Sequence, residues 1–470
     1  MQVEFQTDAV YQINPYHTFV TSSLGGSVSA IDGKFVCNTG TTANANASLQ
    51  SRKRLRYRPG KGSIGRFTAV FDTPVANSTQ VAGLGHAEDG LYIGYVGTAF
   101  GILHNYRGVR ETRTLTVSAA STTAEDVNVT LNGTTYTVPV TNSANVQRTV
   151  YEISNYDFSG WSACPEASSI TFVRGSAGTA SGTYSLSATT AGGSFAQTKA
   201  GASPGADFIP QASFNGDPLD GTGPSGETID PTKGNVFEIF IQYLGFGALT
   251  VRAEVAAAGN DPRFVDVHTI RAPNSLTDPT FGNPSFPFTL AVASQGSTTD
   301  LSAQCASYAG FTEGKKKLEG DRFSYTNDLG STVDAAGDYY ALFSIQNKNF
   351  HANRSNQSVV NIVDLTAATK HTQPVKFFVI KNGTLTGNPN FQPESTYSTV
   401  VYDTDATGVT ISGPEDIIWS AAVGETGQIE HIFRDEGIDL QPNETITIAA
   451  QTVQNTAAWV TATLNTKEDH

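Results

Sequence analysis

Residues 236–255 carry the clearest alternation of apolar and polar positions in this chain. Every second residue is apolar on both sides of a Gly-Phe-Gly connection at 245–247: Phe237, Ile239, Ile241 and Tyr243 before it, and Leu249, Val251, Ala253 and Val255 after it. A period of two places successive side chains on opposite faces of a strand, so each strand buries one face. The pattern therefore predicts two antiparallel strands joined by a glycine-containing turn.

The same period recurs over most of the chain and predicts a mainly all-β fold. In the first segment, aromatic and aliphatic runs separated by glycines predict strands at 64–71, 91–95 and 100–103. In the last segment, runs bounded by turn residues predict strands at 339–347, 359–365, 375–380, 399–402, 417–422 and 445–453. Strands at this spacing are typical of a jelly roll or a related β-sandwich.

Residues 112–200 follow a different pattern. Asn132 and Gly133 separate two alternating runs, which is a strong hairpin signal because both residues tolerate a positive φ. Apolar residues from Val146 to Ile153 then recur at helical spacing and predict one short amphipathic helix. Together these elements predict a small α+β domain.

We expect this small domain to be inserted into a discontinuous β-sandwich formed by residues 1–111 and 230–320. Domain insertion at a surface loop is common because the two ends of a domain usually lie close together. Residues 201–229 are rich in Gly, Pro, Asp and Ser, and we interpret them as a linker. A polar boundary at 314–321 precedes residues 321–470, for which we predict a second, C-terminal β-sandwich that resembles a jelly roll.

The charge of the chain argues against binding to nucleic acid. Charged residues make up 15% of the sequence, the formal net charge is −14 and the isoelectric point is near 5.0. One basic stretch stands out, with five cations in seven residues: Arg52, Lys53, Arg54, Arg56 and Arg58. It could form a nucleic-acid patch, but we favour a charged edge that discourages strand pairing, or a contact with an acidic neighbouring subunit.

Three cysteines, Cys37, Cys164 and Cys305, lie far apart and match no metal-ligand spacing. Their number suggests assembly in a reducing compartment, or a fold that needs no disulfide. Residues 1–5 lack the basic and apolar pattern of a secretion signal, and no window approaches about 18 consecutive apolar residues. We therefore expect neither a signal peptide nor a membrane-spanning helix.

Few residues are candidates for chemistry. His86 lies beside Glu88 and Asp89 and could take an acid/base or metal-binding role, although a turn that exposes polar side chains explains the same pattern. Residues 403–405 and 435–439 could offer oxygens to Ca²⁺, more as a structural than as a catalytic site. The sequence contains no nucleophile elbow, Walker loop or dinucleotide fingerprint. We assign no catalytic residue, no cofactor and no metal ligand.

Aromatic residues supply the candidates for glycan binding. Tyr92, Tyr95 and Tyr106 could stack on sugar rings, with core packing as the alternative for those on alternating strands. Carboxylate pairs that hydrolyse glycosides are defined by their separation in space, so a glycan-cleaving activity also stays open.

Several segments resemble virion proteins of tailed phages and of large DNA viruses of algae and other protists. The segments that carry the resemblance are residues 83–95, 100–103, 242–248, 267–270, 274–275, 283–285, 306–314, 343–348 and 380–387. Residues 114–161 are similar to small modules inserted into phage structural proteins. The similarity extends over most of the chain, and its first part resembles a concanavalin-like sandwich, a fold that often binds glycans.

The resemblance implies a non-enzymatic structural protein of a virion, displayed on the particle or attached to it as a capsid-associated, vertex, fibre or tail component. Its partners would be other virion proteins and further copies of itself, with assembly in the host cytoplasm. A receptor-binding fibre that recognises host surface glycans is the alternative, and a glycan depolymerase is the third. We expect neither a nucleic-acid partner nor insertion into a membrane.

Overall fold

The computed structural model describes residues 1–256, 261–314, 320–327, 330–333, 338–370, 374–433, 438–453 and 456–469. The chain forms two compact units. The first unit consists of Met1–Gly108 and Ser203–Lys317, and the second consists of Val109–Ala202 and Leu318–His470. Most of the predicted boundary at 314–321 lies outside the described residues.

The described residues are mostly β strands, numbered here along the chain. The first part of the first unit contains β1 (Gln2–Asp8), β2 (Thr18–Ser23), β3 (Ser27–Ile31), β4 (Lys34–Asn38), β5 (Asn46–Ser51), β6 (Ser63–Phe71), β7 (Ser78–Gly85), β8 (Gly90–Val96) and β9 (Ala99–Tyr106). The first part of the second unit contains β10 (Arg110–Ala119), β11 (Glu125–Leu131), β12 (Thr134–Val140), α1 (Val146–Ser154), β13 (Trp161–Glu166), β14 (Ser169–Ala177), β15 (Ser185–Ser187) and β16 (Gly192–Lys199).

The remaining strands follow the same order. The first unit continues with β17 (Gly205–Pro210), β18 (Asn235–Ile241), β19 (Leu249–Val255), β20 (Arg263–Ile270), β21 (Phe288–Ser294), β22 (Ser302–Cys305) and β23 (Ser307–Thr312). The second unit continues with β24 (Asp321–Thr326), β25 (Ser331–Val333), β26 (Tyr340–Asn347), β27 (Phe350–His351), β28 (Arg354–Ser355), β29 (Val359–Lys370), β30 (Val375–Lys381), β31 (Thr384–Gly387), β32 (Gln392–Pro393), β33 (Val400–Asp403), β34 (Ala406–Thr410), β35 (Ile417–Val423), β36 (Gln428–Ile432), β37 (Asp439–Leu440), β38 (Thr445–Thr452) and β39 (Ala458–Asp469).

The first unit is a sandwich of two antiparallel sheets. Among the described residues, one sheet has seven strands in the order β17-β9-β8-β7-β21-β5-β2. Within the same residues, the other has nine, in the order β20-β19-β18-β6-β22-β4-β3, with β23 also pairing β6 and β1 pairing β23. Aromatic side chains from both sheets meet between them, and the ring centroids of Phe67 and Phe288 are 5.4 Å apart. The predicted β-sandwich is confirmed.

The hairpin predicted around residues 245–247 is also confirmed. Strands β18 and β19 pair in register, with Phe237 opposite Ala253 and Ile239 opposite Val251. The connection requires glycine at Gly247, where a Cβ atom would lie 1.5 Å from the backbone oxygen of Gln242. The alternation therefore directs one face of each strand into the core.

The inserted residues of the second unit contain the predicted hairpin and helix. Asn132 and Gly133 adopt φ values of +50° and +83° between β11 and β12. Helix α1 begins after Asn145, whose side chain accepts hydrogen bonds from the backbone N–H groups of Gln147 (2.8 Å) and Arg148 (3.3 Å). An asparagine cap satisfies N–H groups that have no partner inside the helix.

Helix α1 also packs against strands from the C-terminal part of the second unit. The Tyr151 hydroxyl accepts a hydrogen bond from the backbone N–H of Leu385 at 2.7 Å, and its ring stacks on Phe391. The Arg148 guanidinium donates to the backbone oxygens of Leu385 and Gly387. The insertion and the C-terminal sandwich therefore share one apolar cluster and form one unit.

The C-terminal sandwich is built on two six-stranded sheets among the described residues. One contains β24-β39-β29-β36 with β25 and β37, and the other is β32-β33-β26-β38-β30-β35. The six strands predicted here correspond to β26, β29, β30, β33, β35 and β38. Strand β39 was not among the predicted strands, although it pairs with β29 from Trp459 to Asp469.

The interpretation of residues 201–229 as a linker is wrong. Strand β17 pairs with β9 and extends the seven-stranded sheet of the first unit. Phe214 and Leu219 are buried in the core of that unit. No helix in the described part of the chain is long and apolar enough to cross a membrane.

Candidate functional site

The described surface of the first unit contains a cleft of about 530 Å³, formed by the end of β1 and the loop that leads to β2. We call it the N-terminal cleft. Its lining residues are Gln6, Thr7, Asp8, Tyr11, Gln12, Asn14, Pro15, Tyr16 and His17. Its volume falls within the range of small-molecule sites in proteins.

The loop that forms the cleft is anchored at both ends. Ala9 is buried and donates its N–H to the backbone oxygen of Ala306, while Ile13 packs against the core. The Asn14 side chain accepts a hydrogen bond from the N–H of Tyr16 at 2.8 Å, which closes a local turn. The backbone oxygen of Asn14 accepts two more from Thr18. These contacts fix both ends of the loop, and Val10, Tyr11 and Gln12 between them are exposed.

Arg52, which directly follows β5, contacts both the loop of the cleft and the strand β2. Its guanidinium donates to the backbone oxygen of Pro15 and lies 5.9 Å from the centroid of the Phe19 ring. Its backbone N–H donates to the oxygen of His17 at 2.9 Å. Arg52 thus fixes the wall of the cleft.

The cleft combines exposed aromatic rings with polar groups of both hydrogen-bonding types. Tyr11 is 91% exposed and Tyr16 is 45% exposed. The side chains of Tyr11 and Gln12 make no hydrogen bond to the part of the chain that the structure describes. Amides donate and accept, and the Asp8 carboxylate accepts. The arrangement can bind a ligand that has both an apolar face and many hydroxyl groups.

The N-terminal cleft lies outside the residues that the sequence pattern marked as candidates for binding. Residues 10–17 read Val-Tyr-Gln-Ile-Asn-Pro-Tyr-His and have no period of two, which marks a loop. The sequence signal for a binding site was one tyrosine before the Asn14-Pro15 pair and one after it, Tyr11 and Tyr16. Large aromatic residues in a loop are not needed for strand packing.

The three tyrosines predicted to contact glycans lie elsewhere in the first unit. Tyr92 is 6% exposed and directs its hydroxyl towards the backbone oxygen of His86. Tyr95 is 8% exposed and packs edge-on against Phe71 and Phe100. Their burial contradicts a role in stacking on sugars, since both rings are covered by protein. Tyr106 is half-buried against His104.

The basic stretch lies between β5 and β6 and does not form a uniform exposed patch. Leu55 is buried and forms two backbone hydrogen bonds with Phe286, so the stretch is bound into the sandwich. Arg58 is 9% exposed and therefore contributes little surface for a partner. Four cations of the stretch, Arg52, Lys53, Arg54 and Arg56, are half-buried. For these four, the subunit contact stays a prediction.

The residues around His86 hold loops together. The Asp89 carboxylate accepts hydrogen bonds from the backbone N–H groups of Arg107 (2.7 Å), Gly282 (2.9 Å) and Asn283 (2.9 Å). Burial raises the pKa of Asp89, and these N–H donors oppose the shift. His86 accepts the N–H of Glu88 at Nδ1 and contacts the backbone oxygen of Asn283 with Nε2. The geometry assigns these groups a structural role.

In the first candidate calcium loop, residues 403–405, backbone N–H groups bind the carboxylate of Asp403. The buried Asp403 carboxylate accepts hydrogen bonds from the N–H groups of Asn390 (2.6 Å), Asp405 (3.2 Å) and Ala406 (3.2 Å). Burial raises its pKa. Most of the second loop, 435–437, lies outside the described residues. The described ranges contain no cluster of three His, Cys, Asp or Glu side chains that could hold a metal ion.

No protein-family model and no curated protein match this chain. Among solved structures, it is similar to a glycosyl hydrolase family protein from Mycobacterium fortuitum, with 9% identity and a TM-score of 0.29 over 66% of this chain and 100% of that one. A glycosyl hydrolase family 16 protein from Mycobacterium smegmatis has 9% identity and a TM-score of 0.30 over the same shares.

A legume lectin-like domain from Entamoeba histolytica is similar at 9% identity and a TM-score of 0.23, over 65% of this chain and 97% of that one. TM-scores this low carry no conclusion about activity. The β-sandwich fold of this chain is established by its own sheets and their register.

Proposed function

We propose that this protein is a non-enzymatic component of a virion that is displayed on the particle and binds a host surface glycan through the N-terminal cleft. The observation that carries the glycan-binding part is the 91% exposure of Tyr11 at a cleft lined by amides and a carboxylate. The virion part is supported by the resemblance of several segments to virion proteins.

The chemistry of the cleft matches a sugar ring better than an apolar or a highly charged ligand. A pyranose has one face of C–H groups that can cover an aromatic ring, and hydroxyl groups that both donate and accept hydrogen bonds. Tyr11 and Tyr16 offer the rings, while Gln12, Asn14 and Asp8 offer the polar atoms. Asp8 also places a negative charge in the cleft, so neutral glycans should bind better than acidic ones.

Replacing Tyr11 by alanine should weaken glycan binding about tenfold or more, equal to about 1.4 kcal/mol or more, because it removes the most exposed ring of the cleft. A glycan array would identify a ligand, and titration calorimetry would compare the variant with the natural protein. Tyr397→Ala is the matched control, since Tyr397 is 79% exposed but lies in the second unit. Unchanged affinity of Tyr11→Ala, or release of new reducing ends from the glycan, would contradict this proposal.

Labelling of this protein on purified particles should locate it at the outer surface. Electron microscopy with an antibody against the second unit would give the location directly, and would separate shell, vertex, fibre and tail. If the label is absent from intact particles but present in the infected cell, display of this protein on the particle is excluded. If the protein is found on the particle but binds no glycan on the array, only the structural part of the proposal is retained.

A further inference from the structure

One side of the first unit ends in two strands that expose apolar side chains. Strand β2 is an edge strand of the seven-stranded sheet, and β3 is an edge strand of the nine-stranded sheet. A tight connection at residues 24–26 joins them. We call this side the β2–β3 edge. Its exposed apolar residues are Phe19 (49%), Val20 (42%), Leu24 (60%) and Ile31 (55%).

The core of the sandwich is incompletely covered at this edge. Val20 lies opposite the fully buried Leu49 of β5, so both side chains are on the face of the sheet that points into the core. Val28 and Ala30 of β3 pack against that core and are only partly buried. Apolar side chains at core-facing positions gain stability if a further layer of protein covers them.

Strand β2 is regularly paired along one side. It pairs with β5 over six residues without a register shift. On its outer face, Thr21 and Ser48 share a hydrogen bond at 2.7 Å, and Asn46 donates to the Ser23 hydroxyl at 2.7 Å. Among the described residues, β5 is the only strand that pairs with β2. The backbone groups on its other side therefore lack a strand partner.

The other edges of this sandwich carry features that prevent strand pairing. The edge strand β17 contains Asp207 and ends at Pro210, the edge strand β20 contains Arg263 and Asp266, and the edge strand β1 contains acidic residues. Charges and prolines of this kind block edge-to-edge association in natural sheets. Strands β2 and β3 contain neither a charged residue nor a proline.

We propose that β2 pairs antiparallel with β2 of a second copy of this chain across a twofold axis, which joins two seven-stranded sheets into one of fourteen strands. Directly opposed residues of an antiparallel pair share one face of the sheet, so a twofold register can place Val20 opposite Val20 of the second copy on the axis and Phe19 opposite Thr21. The Val20 pair then lies on the core-facing side, and the Phe19–Thr21 pairs lie on the outer face. A closed twofold pairing leaves no open β2 edge for further association.

A second copy fits this edge better than a different partner because the strand is neutral. The chain carries a net charge of −14, so two copies repel each other over most of their surfaces. Identical strands of sequence Thr-Phe-Val-Thr-Ser-Ser bring no like charges together. Burial of Phe19 and Val20 and new main-chain hydrogen bonds would then favour association.

Val20→Lys tests the pairing, because a lysine at this position places two like charges near the twofold axis. Analytical ultracentrifugation of the full chain should show a dimer for the natural protein and a dissociation constant at least about a hundredfold higher for the variant. Ile432→Lys is the control, since Ile432 is 61% exposed in the edge strand β36 of the second unit. A far-ultraviolet circular dichroism spectrum and a thermal unfolding midpoint equal to those of the natural protein would show that Val20→Lys is folded.

Hydrogen exchange gives a second measurement that does not depend on a variant. Amides of residues 18–23 should exchange about tenfold or more slowly at concentrations where the dimer forms than where the monomer dominates. A monomer at all concentrations, a dimer that survives Val20→Lys, or protection that appears only when another virion protein is added would each overturn the proposal. None of these outcomes depends on whether the cleft binds a glycan.

Discussion

Replacement of Glu468 by alanine is expected to lower the free energy of unfolding of the second unit by about 3 kcal/mol. Glu468 is fully buried near the end of β39. Its carboxylate accepts hydrogen bonds from the Ser398 hydroxyl (2.6 Å) and from the N–H (2.6 Å) and hydroxyl (3.0 Å) of Thr399. The buried Tyr325 hydroxyl adds a fourth at 3.3 Å. Alanine would leave these donors buried without an acceptor.

The tryptophans provide a specific measurement for this prediction. All three, Trp161, Trp419 and Trp459, belong to the second unit, so their fluorescence in a urea titration follows that unit alone. Glu425→Ala is the matched control, because the same change at an exposed glutamate removes no buried acceptor. Glu468→Ala with a midpoint equal to that of the control would show that water or rearranged side chains satisfy these donors.

Local sequence signals determined the elements that were predicted correctly. Asn132 and Gly133 specify their turn by backbone preference alone, so the hairpin requires no knowledge of the tertiary fold. The helix around Val150 combines an apolar face with an asparagine cap, and both are encoded within ten residues. In each case the residues that specify the element belong to one turn or to one face of that element.

Strands β39 and β17 are elements that local patterns did not reveal. Strand β39 places Ala458, Ala462 and Glu468 at buried positions, and neither alanine nor glutamate indicates a buried strand by its composition. Glu468 fits because Ser398 and Thr399, about seventy residues earlier, supply its hydrogen bonds. Residues 201–229 have the composition of a linker, but the free edge of β9 recruits part of them as a strand.

The candidate site shows the same limit. The N-terminal cleft exists because Ala306 and Arg52, distant in sequence, hold the backbone of the loop. The tyrosines selected from alternating strands belong to well-formed strands, and regular strands bury such rings. Aromatic residues in an anchored loop are the better indicator of a binding site, because no sheet requires them there.

Replacement of Phe237 by alanine should destabilise the first unit by about 4 kcal/mol, the largest effect expected in this chain. Phe237 is fully buried in β18, and its ring centroid lies 6.0 Å from that of Phe67 on the paired strand β6. Removing the ring loses its transfer energy and leaves a cavity between two sheets that cannot close on it. The loss should be confined to the first unit because the second has its own apolar cores.

Hydrogen exchange measured on peptides from β18 and β19 would check this prediction, because the first unit contains no tryptophan. A loss of about 4 kcal/mol should accelerate the exchange of globally protected amides by about a thousandfold. The tryptophan transition of the second unit should stay where it is in the natural protein. Phe246→Ala provides the control, since Phe246 is 38% exposed in the turn of the same hairpin. The tryptophan transition and the exchange of β18 each give a loss of free energy of unfolding for Phe237→Ala. If the two losses are equal, the two units unfold cooperatively, and the independence of their cores is disproved.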